Sequence, residues 1–173
     1  MKALSREEFA VLLKEQRVRP RLVQDLRFAP EEINDWEDLE LLSVRTRSEA
    51  EGLLLIQLDS FYLLPYELTR GLRDTATGRS KPIICDFCYT WQQGGKISRI
   101  TFHRASDDHR LSFLCCADLQ CSRHIRNKTA ESALSRTQLH EDITVAQRIE
   151  RLKAKLQKLT GVLQAQAISH PSA

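Results

Sequence analysis

The sequence contains no apolar run of membrane-spanning length. Leu53-Leu54-Leu55-Ile56 is cut short by Gln57 and Asp59, far from the roughly 20 residues a transmembrane helix needs. Met1 is followed by Lys2-Ala3-Leu4-Ser5-Arg6-Glu7-Glu8-Phe9, which lacks an apolar signal core. No glycine loop suited to cradling phosphate is present, since Gly94-Gly95 is an isolated turn. No Ser/His/Asp set or opposed carboxylate pair can be assembled. Glu7-Glu8, Glu31-Glu32 and Asp107-Asp108 read as cap and solvated-turn residues. Together these absences predict a cytoplasmic protein that is neither membrane-bound nor an enzyme.

What the chain does hold is sulfur in a definite pattern. Four of five cysteines form two tight pairs, Cys85-Asp86-Phe87-Cys88 and Cys116-Ala117-Asp118-Leu119-Gln120-Cys121, separated by 27 residues. Each short pair aims two sulfurs at one point from a tight turn, and two pairs complete a tetrahedral thiolate shell for one structural Zn²⁺. Disulfides would strand a fifth cysteine and need an oxidising compartment, which the missing signal core argues against. A redox Cys-x-x-Cys would leave the second pair idle and lacks a surrounding βαβ pattern. Cys115 and Cys116 are adjacent in an extended run, so only one can face the metal. Cys116 is preferred, because its short step to Cys121 suits a strand end turning into a helix that carries the fourth ligand. Cys115 then reads as a small buried residue.

A chain of 173 residues with 42% hydrophobic content bounds one domain with an appended element, whose modest core the metal reinforces. The net charge of +3 is unevenly spread. Residues 1–78 carry 11 Lys/Arg against 15 Asp/Glu, residues 79–128 carry 9 against 4, and residues 129–173 carry 6 against 4. Four thiolates and one Zn²⁺ add a formal −2, so the metal segment's +5 falls to about +3. That excess permits a nucleic-acid patch without demanding one.

Ser5-Arg6-Glu7-Glu8 has the form of a capping box and predicts a helix to about Glu15, with Phe9, Leu12 and Leu13 on its apolar face. The run Arg17, Arg19, Arg21 with Pro20 reads as a solvated connector ending it. After Trp36, expected in the core, Leu53–Leu58 and Phe61–Leu64 predict a β-hairpin reversing at Asp59-Ser60. Asp74–Lys81 forms a polar approach to the first cysteine pair. Ile97–Arg104 and His109–Cys116 predict a second hairpin through Ala105–Asp108, followed by a short helix from Leu119 to about Lys128 bearing Cys121. Knuckle, hairpin, then ligand-bearing helix is the order of a treble-clef zinc finger. Thr144 and Gln147 match a second capping box, and Val145, Ile149, Leu152, Leu156, Leu159 and Leu163 form an apolar seam. Under three heptads without a polar specifier, this seam is expected to dock on the protein's own body, leaving a monomer. Gln164–Ala173 is expected to fray.

The predicted class is therefore α+β: small antiparallel hairpins, a treble-clef-like four-cysteine finger, an N-terminal helix and a long C-terminal helix. The expected divisions are 1–74 (helix and hairpin), 82–128 (zinc finger) and 142–165 (C-terminal helix), within one compact domain.

The stretch from Cys85-Asp86-Phe87-Cys88 through Cys116-Ala117-Asp118-Leu119-Gln120-Cys121, with Arg126-Asn127-Lys128 and the helix around Gln147-Arg148-Ile149-Glu150, resembles the C-terminal treble-clef domain of elongation factor G-binding proteins. That group includes the fusidic-acid-resistance proteins, and its members are also labelled fibronectin-binding. The segment Trp36-Glu37-Asp38-Leu39 and the hairpin after it look like the part preceding the family's knuckle, so the likeness spans most of residues 1–165. It implies Cys85, Cys88, Cys116 and Cys121 as zinc ligands, and an adaptor that docks on elongation factor G and helps free it from the ribosome. The resistance proteins place a helical bundle ahead of this domain that the sequence lacks, so factor binding is implied more strongly than drug resistance.

Partner contacts are expected beside the metal-fixed turns, at Ile84, Arg110 and Leu114, and on exposed positions of the short helix at Arg123, Arg126 and Lys128. An RNA- or DNA-binding module is the alternative, using Arg99, Arg104, Arg110, Arg123 and Lys128. Aromatic interleaving is thin there, with Phe102 and Phe113 expected to be buried. His103 and His109, flanking the hairpin turn, read as ordinary strand histidines before RNA-stacking ones.

Overall fold

In the computed structural model the described residues are 1–16, 18–70, 82–92, 94–104, 109–134 and 142–168. Ser5 caps helix α1 (Arg6–Glu15): its hydroxyl accepts from the Glu8 amide and the Glu8 carboxylate accepts from the Ser5 amide. The expected connector after α1 instead contains a short helix, α2 (Pro20–Asp25). Pro20 sits at its first position, where a missing N–H costs nothing.

The predicted hairpin is a piece of something larger. Strands β1 (Leu26–Arg27), β2 (Leu41–Thr46), β3 (Glu51–Gln57), β4 (Phe61–Arg70), β7 (Ile97–His103) and β8 (Arg110–Cys116) form one antiparallel sheet in that order. Tyr66 opposite Phe102 and Leu68 opposite Ile100 join the two predicted hairpins through β4 and β7. A separate two-stranded ribbon, β5 (Ile83–Ile84) with β6 (Trp91–Gln92), frames the first cysteine pair. The expected turn at Ala105–Asp108 and the polar segment Asp74–Lys81 lie outside the described residues.

Both faces of the sheet are covered at β3, which explains the unbroken Leu53–Ile56 run. Leu53 and Leu55 face Phe9, Leu12, Leu13 and Leu22 of α1 and α2, while Leu54 and Ile56 face the opposite core. A strand buried on both sides loses its period-two alternation. Removing each such leucine from water is worth about 2 kcal/mol. Trp36 lies half-buried at the edge of the first cluster, edge-on to Phe28.

The second core holds the cysteines and the long helix. Beyond the short helices α3 (Cys121–Ile125) and α4 (Ala130–Leu134), Thr144 caps α5 (Val145–Val162) through the expected box with Gln147. Leu152, Leu156, Leu159 and Leu163 are buried against Ile100, Phe102 and the cysteine cluster, so the seam docks on the chain's own body. The tail beyond it does not fray as expected through residue 168. Ile168 is buried and exchanges two backbone hydrogen bonds with Phe61 at the start of β4, which fasten the tail to the sheet. No helix among the described residues is long and apolar enough to cross a membrane.

Candidate metal centre

Three elements bring four sulfurs together. The knuckle supplies Cys85 and Cys88, the end of β8 supplies Cys116, and helix α3 (Cys121–Ile125) supplies Cys121 at its first position. The four Sγ atoms lie within 4.8 Å of one another, with Cys85 to Cys121 at 3.7 Å and Cys88 to Cys116 at 3.5 Å. A zinc–sulfur bond of about 2.3 Å gives a regular tetrahedron an edge of about 3.8 Å. Donor type, number and spacing therefore fit one structural Zn²⁺. All four residues are buried, so no side is open to solvent.

Positive backbone φ angles make both turns. Tyr89 (φ 60) lets the chain reverse after Cys88, where its amide donates to the Cys85 carbonyl, and the Cys85 amide donates to Thr90 O. Leu119 (φ 56) plays the same part after Cys116, and its amide donates to the Cys116 carbonyl at 3.0 Å. Leu119 is thus outside the helix that the sequence was expected to begin there. Asn127 (φ 56) stops α3 early: its amide donates to His124 O and that of Lys128 to Arg123 O, the paired bonds of a Schellman end. Asn tolerates this left-handed conformation better than most residues.

The knuckle is fastened to β8 by Asp86, whose amide donates to Leu114 O at 2.8 Å and whose carboxylate accepts from the Leu114 amide at 2.7 Å. The Phe87 amide points at Cys85 Sγ at 3.4 Å. Thr90 Oγ1 is 2.9 Å from Cys88 Sγ and accepts from Gln92 Nε2 at 2.9 Å. Crowding sets the thiol chemistry. Burial opposes ionising Cys88, yet hydrogen bonds from Cys116, Cys121 and Cys85 draw it well below the usual thiol range. Hydrogen bonding to Cys116, Cys85 and Cys88 pushes Cys121 well above that range. A dication is what allows four such sulfurs to be thiolates at once. Cys115 points to the other face, towards the Ser98 carbonyl at 3.5 Å, and burial pushes its thiol up.

His124, which the sequence reading passed over, is completely buried beside the cluster. Its Nδ1 lies 3.2 Å from Cys116 Sγ, and its Nε2 lies 3.2 Å from Asp118 Oδ2, off the line of a straight hydrogen bond. Burial alone would lower its pKa, but the Asp118 carboxylate and the Cys88 sulfur hold it up at about 10. Its position three residues after Cys121 was the only available signal.

The expected partner residues divide into two sets. Ile84 is 41% exposed on the knuckle ribbon, Arg110 is exposed at the start of β8, and Leu114 is half-buried beneath the knuckle. Arg123 and Arg126, expected to be exposed, are half-buried, Lys128 is exposed as expected, and each has an acidic partner within the chain. Arg123 bonds both carboxylate oxygens of Asp35, at 2.8 and 2.6 Å, and its guanidinium holds the Asp35 carboxyl below the usual range. Arg126 bonds Glu40 and reaches Asp38 at 3.2 Å, and Lys128 bonds Asp38. The acidic segment before β2 faces these cations because Ser122 Oγ accepts from the Glu40 and Leu41 amides. His103 pairs with Glu67 on the adjacent strand, as an ordinary strand histidine would.

A buried four-thiolate site held by a knuckle, the end of a hairpin strand and the first turn of a helix defines a treble-clef zinc finger. Within that class the chain belongs to the FBP C-terminal treble-clef zinc-finger family, whose model matches residues 17–162. No curated protein and no solved structure matches the chain.

Proposed function

We propose that this chain is a non-enzymatic, cytoplasmic adaptor that binds translation elongation factor G through its zinc-fixed face and promotes the factor's release from the ribosome. The observation that carries this reading is membership of the FBP C-terminal family, combined with a metal site that has no place for substrate. A closed thiolate shell leaves no open coordination position for water, so zinc contributes folding free energy and not Lewis acidity. Zinc-fixed turns lose little freedom on docking, which favours binding by Ile84, Arg110 and Leu114 beside them. Burial of the α5 seam on its own sheet supports a monomer. Nucleic acid is the weaker reading, because Arg123 and Lys128, two of the five cations it would use, are held in internal ion pairs.

The test is affinity capture from lysate at two salt concentrations with RNase treatment in parallel. Recovery of elongation factor G that survives RNase supports the adaptor reading. Capture lost with RNase and falling steeply with salt would replace it with nucleic-acid binding.

A further inference from the structure

We propose that His124 is a positioning residue of the zinc centre, donating a hydrogen bond from Nδ1 to the Cys116 sulfur while Asp118 fixes its ring, and that this contact slows loss of the metal. The Cys116 sulfur, as a zinc-bound thiolate, can only accept, so the ring nitrogen 3.2 Å away must carry the hydrogen. Asp118 is itself positioned, its Oδ1 accepting from the Gln120 amide at 3.0 Å while Oδ2 faces His124 Nε2. Backbone geometry aligns all three groups. Leu119 turns the chain so that Asp118 sits over α3, and His124 lies one helical turn beyond Cys121 on the buried side.

Burial without solvent contact gives the contact its significance. An imidazole at 0% exposure costs free energy unless its polar atoms are used: the Cys116 sulfur takes Nδ1, while the Asp118 carboxylate stands 3.2 Å from Nε2 as a charge partner. Carboxylate, imidazole and metal ligand in series form the arrangement by which an outer layer orients a ligand and drains part of its charge. The layer is one-sided. Side chains bond Cys116 through His124 and Cys88 through Thr90, whereas Cys85 receives the Phe87 amide. Loss of one such partner weakens metal holding by about 10- to 100-fold.

The zinc-loaded full chain is tested as three variants, His124→Ala, His124→Asn and Asp118→Asn, by following zinc transfer to a chromophoric chelator. In parallel, the cobalt-substituted proteins are examined for their sulfur-to-metal charge-transfer band. Transfer from His124→Ala should be at least about tenfold faster, with that band moved to longer wavelength because the Cys116 sulfur is more electron-rich. His124→Asn, whose amide can donate from the place of Nδ1, should restore both readings most of the way. If His124→Ala does not fold, Asp118→Asn, altered at a partly exposed residue, should show the same changes in smaller measure. Faster transfer with an unmoved cobalt band would reduce His124 to a packing residue and overturn the proposal. So would wild-type transfer in both His124→Ala and Asp118→Asn.

Discussion

Arg126 and Glu40, 86 residues apart in sequence, meet in a two-point ion pair: Nη1 donates to Oε2 at 2.9 Å and Nη2 to Oε1 at 2.5 Å. Their side chains are only 11% and 6% exposed. The pair ties the acidic segment before β2 to the helix that carries Cys121, so the N-terminal half of the sheet and the metal centre share one interface.

Removing one member should therefore cost more than an exposed ion pair would. Arg126→Met leaves the Glu40 carboxylate buried and uncompensated, and is expected to lower stability by about 3 kcal/mol in urea unfolding. Adding Glu40→Gln should recover much of the loss. A single variant within about 0.5 kcal/mol of wild type would show that the pair is dispensable.

Zinc removal should act locally first. Chelation, or Cys121→Ser, removes what holds the knuckle, the end of β8 and α3 together. Amides of residues 84–90 and 116–125 are expected to lose hydrogen-exchange protection. The β2–β4 strands, packed on α1 and α2 through Leu53 and Leu55, should keep more of theirs. Elemental analysis should give one zinc per chain before chelation. Uniform loss of protection would make the metal a condition for the whole fold.

Gly52 lies in β3 where no side chain fits. A Cβ there would stand 2.4 Å from Val44 O and 2.7 Å from the Tyr66 hydroxyl, which itself bonds Ser43 Oγ at 2.7 Å. Gly52→Ala must push β2 from β3 or displace Tyr66, at an expected cost of about 2 kcal/mol. Thermal unfolding reads it directly. Gly161→Ala, with open space around it, is the control and should be neutral or stabilising.

The apolar seam of α5 makes a graded prediction. Leu152→Ala empties a fully buried position and should cost about 3 kcal/mol, whereas Val145→Ala, at an exposed one, should cost under about 0.5. Light scattering should find a monomer in both cases, since the seam faces the chain's own sheet. A dimer that Val145→Ala dissociates would place the seam's free end in an interface.

How much of this was legible in sequence depended on range. Both capping boxes are contacts between residues three apart, and the cysteine pairs announce themselves by spacing, so α1, α5 and the ligands could be read directly. Strand β2 could not. Its Leu41–Arg45 segment pairs with Gly52–Ile56, a partner whose alternation is erased by burial on both faces. The pairing of β4 with β7 joins segments on either side of the first cysteine pair, which local pattern does not encode. Arg123, Arg126 and Lys128 looked free because their acidic partners lie 86 to 90 residues away.

That last correction decides how docking on elongation factor G is to be tested. Charge reversal at Arg123 or Arg126 would break the pairs with Asp35 and Glu40, so weaker capture could reflect a loosened α3 and nothing more. Ile84 and Arg110 are the informative positions, because both are exposed and, among the described residues, neither is in an ion pair or touches the cysteine sulfurs. Ile84→Ser with Arg110→Glu is expected to weaken binding to purified elongation factor G by about tenfold or more, the loss of one to two contacts of hot-spot strength. Zinc content and unfolding midpoint should match the unaltered protein. Under those matched conditions, an unchanged affinity would remove the knuckle ribbon and the start of β8 from the docking surface, while failure of the unaltered chain to bind at all would remove elongation factor G as the partner.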